Sequence, residues 1–516
     1  MADGNGSAPS QQIAQFRSDG VTGTSGLRVP FFSDGFSRAS GLPEARLINF
    51  ISEATPLREE RPYVASVGLR EIRYSRPGIV ASGFTIGTGP IRAMWPTPVT
   101  LGASLCFVSG ETVYDSGGNN LGTITGADTV RWAVSRTQQV IVADGGAYLW
   151  NYPGIGGNVY ARLPNNVMPP IQDVAFLAGR FVYVCQNSDR FYWSEVEDAS
   201  NVKGLNFASA ESSPDNVLGV AVLNDELVFF GQSSVEFWSP NTGAGPTDPA
   251  FTPIEGRGYQ RGCASRDTIA YADNSLFWVG ENRVVYRVGA TPTRISSSSI
   301  EDKLRQCPNI AGCTAIVLTF EGHEFYVLNI PGVGSYAYDI SRIGTTAGAF
   351  GDSYERGEWG EWASYGQTNF RGQVAAAFQG VQYIGDSATN QIGAMQVGTY
   401  TDYGGAMTRQ ASAFIKIEEG SPRCDNIVLH GVMGVGNSSG AGANPLVEMR
   451  YSDDGGRTFV RWRTARLGRM GGYRTRAYWQ RLDQMRAPGR LIEIRCSDPV
   501  NVVFSHLELN SSRPAQ

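Results

Sequence analysis

The chain has 516 residues, a formal net charge of −5 and an apolar fraction of 41%, which allows two or three domains with cores of their own and excludes disorder throughout. Sixty-three glycines and twenty-six prolines without a collagen period point to many turns between short strands, so the expected fold class is all-β. The acidic balance gives the whole chain no electrostatic pull on nucleic acid or anionic membrane, and any such contact must be local.

The opening MADGNGSAPSQQ has no basic start followed by an apolar core, and no run of about eighteen apolar residues follows. Neither a signal peptide nor a spanning helix is expected, and the chain reads as soluble, made in a host cytoplasm, without membrane insertion. Residues 1–45 are rich in Gly, Ser, Asp and Gln and read as a flexible arm, open to ordering on a partner. LPEARLINFISEATP and LREIRYSRPGIVASG restore apolar content, so the first folded domain is expected from Arg46.

From Ser104 one pattern recurs: an apolar run, a polar turn, then an aromatic-rich run. It reads SLCFVSGETVYD, QVIVADGGAYLWN, RFVYVCQNSDRFYWS, ELVFFGQSSVEFWS and SLFWVGENRVVYRVG, then more loosely HEFYVLNIPGVGSYAYD and GVQYIGDSATNQIGAM. Each is a hairpin by composition. Their spacing of roughly 35 to 55 residues is that of a propeller blade, in which the tightest hairpin is the easiest to see. IQDVAFLA from Ile171 and DNVLGVAVLN from Asp215 supply strands buried between blades. Residues 46–403 are thus expected to form a β-propeller of six or seven blades, seven being preferred. Closure is expected from both ends, with Leu47 to Phe50 completing a blade begun near Gly380. One helix is expected at SSSSIEDKLRQCP, with Ser298 as cap, Glu301 completing a capping box and Pro308 as stop.

After Gly404, SAFIKIEEG, NIVLHGVMGVG, PLVEMRYSDDGGRTFVRWRTARL, RAYWQRLDQM, GRLIEIRCSD and VNVVFSHLELN read as strands of a separate β-sandwich domain over residues 404–516.

The seven cysteines are sparse and odd in number and read as buried free thiols; the three histidines, His323, His430 and His506, are far apart in sequence. No metal or other cofactor is expected. SDDGGRTF, Ser452 to Phe459, fits the Asp-box of sialidases, but that box is a hairpin brace, with Asp454 tying down its turn, and carries no chemistry. Carboxylate pairs drawn from Glu195, Glu197 and Asp198, or from Glu355, Glu358 and Glu361, read as solvated loop charges, because glycoside hydrolysis needs two acids meeting across a cleft. Trp150, Trp193, Trp238 and Trp278 recur in register with the repeat and read as inter-blade packing rather than sugar platforms. No phosphate-binding loop, dinucleotide fingerprint or nucleophile elbow is present, and no catalytic residue is assigned.

Charge is uneven. From Leu446 to Cys496 there are twelve arginines, no lysine and five carboxylates, a local +7 that leaves −12 for the remainder. Arg450, Arg461, Arg463, Arg466, Arg469, Arg474 and Arg476 are therefore candidate interface residues toward a protein partner or DNA phosphate. Only Lys203, Lys303 and Lys416 are lysines, so arginine also serves as the general cation of this chain.

RLINFISEATP, LREIRYSRPGI, the long stretch from Gln172 to Ala244 containing SEVEDASN and ESSPD, and SSIEDKLRQ resemble the packaged-DNA stabilization proteins of short-tailed bacteriophages, the tail hub subunits. The resemblance runs from about Arg46 to the C-terminus. It implies a non-enzymatic virion tail protein that forms a homohexameric ring below the portal and its adaptor (head-to-tail) ring. That ring would stabilise packaged DNA, receive a tail needle or plug and a tailspike or tail fibre, and meet genomic DNA transiently in its lumen. The alternative is a tail-associated glycan-binding or glycan-cleaving β-propeller. A dedicated DNA-binding protein is disfavoured by the acidic total, since a lumen for ejected DNA must not hold phosphates.

Overall fold

The computed structural model describes residues 14–16, 27–31, 46–55, 70–85, 87–151, 159–164, 167–210, 215–243, 248–342, 358–417 and 420–512. By contacts the chain forms two compact units. One comprises residues 79–357 with 368–395, the other residues 1–78, 358–367 and 396–516.

The first unit is a β-propeller whose described strands group into seven blades. Blades 1 to 5 each have four antiparallel strands in chain order, beginning with Ile91–Pro96, Arg131–Val134, Ile171–Leu177, Val217–Leu223 and Ala270–Ala272. Blade 6 contributes Thr314–Phe320, His323–Ile330 and Gly334–Asp339, and blade 7 Gly372–Phe378, Val381–Asp386 and Gln391–Gln396. All seven hairpins read from sequence are the second and third strands of these blades. These strands are the most legible because they are buried on both faces; LVFFG of Glu226–Gly231 is buried throughout. A second regularity sits one turn earlier. Five blades join their first two strands through two residues of positive φ, namely Ala178-Gly179, Asn224-Asp225, Asp273-Asn274, Glu321-Gly322 and Gln379-Gly380, the left-handed pair whose twist suits a tight hairpin.

Apolar clusters fill the gaps between blades: Trp95 of blade 1 with Ile141 of blade 2, Phe191 of blade 3 with Phe229 of blade 4, and Phe230 of blade 4 with Trp278 of blade 5. Each such buried side chain contributes about 1.5–3 kcal/mol. The ring closes where Ile91, Met94 and Phe107 of blade 1 pack against Ala376 and Ile392 of blade 7.

The closing strand differs from the expected one. Gly78–Thr85 is the fourth strand of blade 7, beside Gln391–Gln396, and Ser82 Oγ donates to the Ile392 carbonyl at 2.6 Å. Leu47 to Phe50 belongs instead to the second unit. Leu47 and Phe50 are buried there in the sandwich core.

That unit is a β-sandwich. One sheet is centred on Arg409–Ile417 and continues through Gly489–Cys496, Leu446–Ser452 and Arg463–Arg466; the other runs through Val503–Ser512, Arg423–Gly431 and Ala477–Gln480. The N-terminal segments complete both sheets. Ala14–Phe16 and Leu47–Ile48 pair with Arg409–Ile417, while Leu27–Pro30 and Arg70–Ser75 pair with Val503–Ser512. Val29 and Phe31 enter the same core as Ile427, Met449 and Leu507. A buried ion pair pins the segment further: Arg76 meets Asp402 at 2.6 Å and donates to Asn49 Oδ1 at 2.8 Å. The units thus divide the chain differently from arm 1–45, propeller 46–403 and sandwich 404–516. The described parts of the arm are sheet strands, because the sandwich sheets need them as neighbours.

The helix, α1, spans Ser298–Gln306. Its cap is Ser297, one residue before the expected Ser298, and Ser297 Oγ accepts from the Ile300 amide at 3.4 Å. Glu301 therefore lies one position too far along for a capping box. Its carboxylate accepts from Ser296 Oγ at 2.9 Å and pairs with Arg294 at 2.6 Å.

Candidate functional site

The arginine-rich stretch lies in the sandwich. Strands Leu446–Ser452 and Gly489–Cys496 pair so that Glu448 faces Arg495 and Arg450 faces Glu493. Alternation places these four on the outer side of the sheet, while Met449 and Ile494 enter the core. Two ion pairs result, Arg450–Glu493 at 2.6 Å and Arg495–Glu448 at 2.7 Å. Both guanidinium groups also lie over the Trp462 ring, at 4.5 and 4.0 Å, and Arg450 lies over Phe459 at 4.0 Å. Arg490, fully buried, bonds Asp453 at 2.7 and 2.8 Å and stacks on Tyr451 at 3.9 Å. Three of the twelve arginines are thus internally neutralised.

The seven candidate interface residues consequently separate. Arg450 is committed to Glu493. Arg463, half-buried, donates to the carbonyls of Gln480 and Arg481 at 2.6 and 3.1 Å and ties its strand to the neighbouring loop. Arg461, Arg466, Arg469, Arg474 and Arg476 are exposed and make no ion pair among the described residues. Sequence reading passed over Arg457, Arg481 and Arg486, which are also exposed, and over Met470 and Tyr473, exposed to 63% and 76% in the same loop. The signal was available: RMGGYRTRAY interleaves arginine and aromatic residues with glycines, a composition typical of protein interfaces.

Asp454 is the brace of its hairpin. It accepts from Ser452 Oγ and Thr458 Oγ1, each at 2.6 Å, and from the amides of Arg457 and Thr458. The hydrogen bonds from Ser452 and Thr458 hold its carboxyl well below the usual carboxylate range.

The other acids are similarly occupied. Glu195 bonds Lys203 at 2.9 Å and Asn206 at 3.0 Å; these hydrogen bonds lower its pKa, opposite to what a general acid needs. Glu197 accepts from Thr137, Asp198 from Ser200, Glu358 from Ser52, and Glu361 from Arg46; Glu355 lies outside the described residues. Trp193, Trp238 and Trp278 are buried within the inter-blade clusters, and Trp150 packs half-buried against another. All seven cysteines are buried and free, and burial pushes the Cys106 and Cys263 thiols up to about 12. Among the described residues no three His, Cys, Asp or Glu side chains converge as metal ligands.

At the propeller's centre, Asp173 of blade 3 accepts from Arg131 of blade 2 at 2.9 Å and from the Val220 amide of blade 4 at 3.0 Å. From the turn Arg266–Thr268 before blade 5, Arg266 donates to Thr129, just before blade 2, at 3.1 Å and to the Gln172 carbonyl of blade 3. Blades 2 and 5 are not neighbours in the ring, so these bonds cross the propeller axis.

Comparison with known proteins follows this division of the fold. Family models described as bacteriophage P22 Gp10, beta-propeller, and bacteriophage P22 Gp10, beta-sandwich, match residues 77–400 and 409–512. A curated relative, tail hub protein gp10 of Salmonella phage P22, is 24% identical over 240 residues, covering 43% of this chain; the match spans only 50% of that protein's length. Among solved structures, the extracellular domain of a hybrid two-component system of B. thetaiotaomicron aligns at TM-score 0.39 and 10% identity, over 75% of this chain and 47% of that one. The WD40 propeller domain of Doa1 aligns at TM-score 0.36 and 8% identity, over 62% and 97%. The first family model begins at residue 77, beside the strand that closes blade 7, and the second covers the sandwich, so the chain belongs to the bacteriophage P22 Gp10 family.

Proposed function

We propose that this protein is a structural tail hub subunit of a short-tailed phage virion. It assembles as a homohexameric ring beneath the portal and adaptor, retains packaged DNA, and receives the needle or plug and the receptor-binding spikes or fibres. The observation that carries this reading is the match of both domains, in the same order, to the propeller and sandwich of one phage protein family. The crossed propeller axis is consistent with it: DNA leaving the head would pass through the lumen of a ring of subunits, not through one propeller. The protein acts without catalysis, in keeping with the engagement of Asp454, Glu195 and Glu361 in structural bonds. Arg461, Arg466, Arg469, Arg474 and Arg476 serve assembly, offering opposite charge to an acidic neighbouring subunit or adaptor.

The test is a phage lacking this protein. Heads should fill and then lose their DNA, and adding the purified protein should restore retention. Retention without it would refute the reading.

A further inference from the structure

The outer face of the second sandwich sheet holds a groove of about 690 Å³ that the hub reading leaves unused. Three strands floor it in register. Asn426 lies between Gln480 and Asn510, Val428 between Tyr478 and Glu508, and His430 beside His506. Strand alternation selects these side chains, since Ile427, Leu429, Trp479 and Leu509 point into the core. Arg476 and Met433 also line the groove.

The groove is polar and pre-arranged. The Asn510 amide donates to Asn426 Oδ1 at 2.8 Å, which orients both amides and directs the Asn426 NH₂ and the Asn510 carbonyl to further partners. His430 Nε2 lies 2.7 Å from Glu508 Oε2, and the His430 ring stacks on His506 at 4.5 Å with only 2° between planes. Next to this polar floor sit Val428 and the half-exposed ring of Tyr478.

Planar amides and a carboxylate offer paired donors and acceptors to neighbouring hydroxyls, and an aromatic ring beside them accepts the C–H face of a sugar ring. Glu508 in the floor opposes a phosphate chain, and the rung of three amides is ill suited to an apolar peptide. We infer that this groove binds a glycan of hexopyranose units, with Tyr478 and Val428 against the ring face and Asn426, Asn510, Gln480 and Glu508 toward its hydroxyls. It adjoins the arginine surface, with which it shares Arg476, and the inference stands whether or not the hub reading does.

The full chain is applied to an array of bacterial surface polysaccharides. Binders are then measured as soluble oligosaccharides by calorimetry for the wild type, Tyr478→Ala, Asn510→Ala and Tyr473→Ala, the last removing an exposed ring outside the groove. At least one oligosaccharide should bind, with Kd raised roughly tenfold by Tyr478→Ala and by Asn510→Ala and unchanged by Tyr473→Ala. Should either groove variant fail to fold, Gln480→Ala replaces it, since its side chain is exposed. An array without a binder, or binding that the groove variants retain, overturns the inference. So does a groove that only another virion protein covers.

Discussion

Arg266 reaches Thr129 Oγ1 at 3.1 Å, although 137 residues separate them in the chain and three blades in the ring. Asp267 accepts from the same hydroxyl, so a three-residue turn locks two distant blades together at the axis. Removing the guanidinium leaves the Gln172 carbonyl and the Thr129 hydroxyl short of a partner. Arg266→Ala should lower propeller stability by about 1–3 kcal/mol, read as an earlier chemical unfolding transition of that unit. An unchanged midpoint would show that the axial bonds carry no net stability.

Blade closure gives a second expectation. Deleting residues 1–55 leaves Gly78–Thr85 in blade 7 but removes Val29, Phe31, Leu47 and Phe50 from the sandwich core. Hydrogen exchange at the amides of Gln391–Gln396 should stay slow while the sandwich loses protection. Deleting residues 1–85 should expose Gln391–Gln396 as an unpaired edge, with fast exchange and aggregation. Equal protection in the two truncations would contradict the closure.

Asp454 couples the sandwich hairpin to pH. Its folded pKa lies below the unfolded value, so its stabilisation is present above about pH 4 and falls away as pH drops toward the folded pKa. Asp454→Asn should therefore melt below the wild type at pH 7, and the two curves should converge as the medium is acidified. Neither protein should turn over host-surface polysaccharide. A constant difference in melting temperature from pH 7 to pH 2 would remove the charged brace, and turnover by the wild type would revive the enzyme reading.

The arginines can be separated by experiment as they are by geometry. Arg461→Ala, Arg466→Ala and Arg474→Ala combined should leave the circular dichroism spectrum intact and reduce incorporation into tail complexes, with wild-type incorporation itself weakened by added salt. Arg463→Ala should instead lower sandwich stability by about 1–2 kcal/mol, as the Gln480 and Arg481 carbonyls lose their donor. Full incorporation of the triple variant at low and high salt would exclude an assembly role for those three.

What could be read from sequence follows burial and range. The second and third blade strands are legible because both faces are buried and aromatic, whereas outer strands such as Asn120–Thr123 and Phe207–Ser209 are short and largely solvent-facing and leave little trace. The closing strand is not legible in the sequence because Ser82 and Ile392 stand 310 residues apart, and local pattern says nothing about such a pairing. The same holds for Val29 and Phe31, two apolar residues in a polar arm whose core partners lie near the other end of the chain. The charge of the Arg-rich stretch was visible, but the neutralisation of Arg450 and Arg495 depends on the antiparallel register of two strands over forty residues apart. The polar groove was invisible for the same reason, being assembled from three strands whose residues meet only in register.

The central claim is a ring, and negative-stain images of the purified protein, alone and mixed with purified adaptor rings, test it most directly. Six-fold particles with an open lumen, stacked coaxially on the adaptor, are expected. Monomers in both samples, with adaptor rings left bare, would contradict the hub reading.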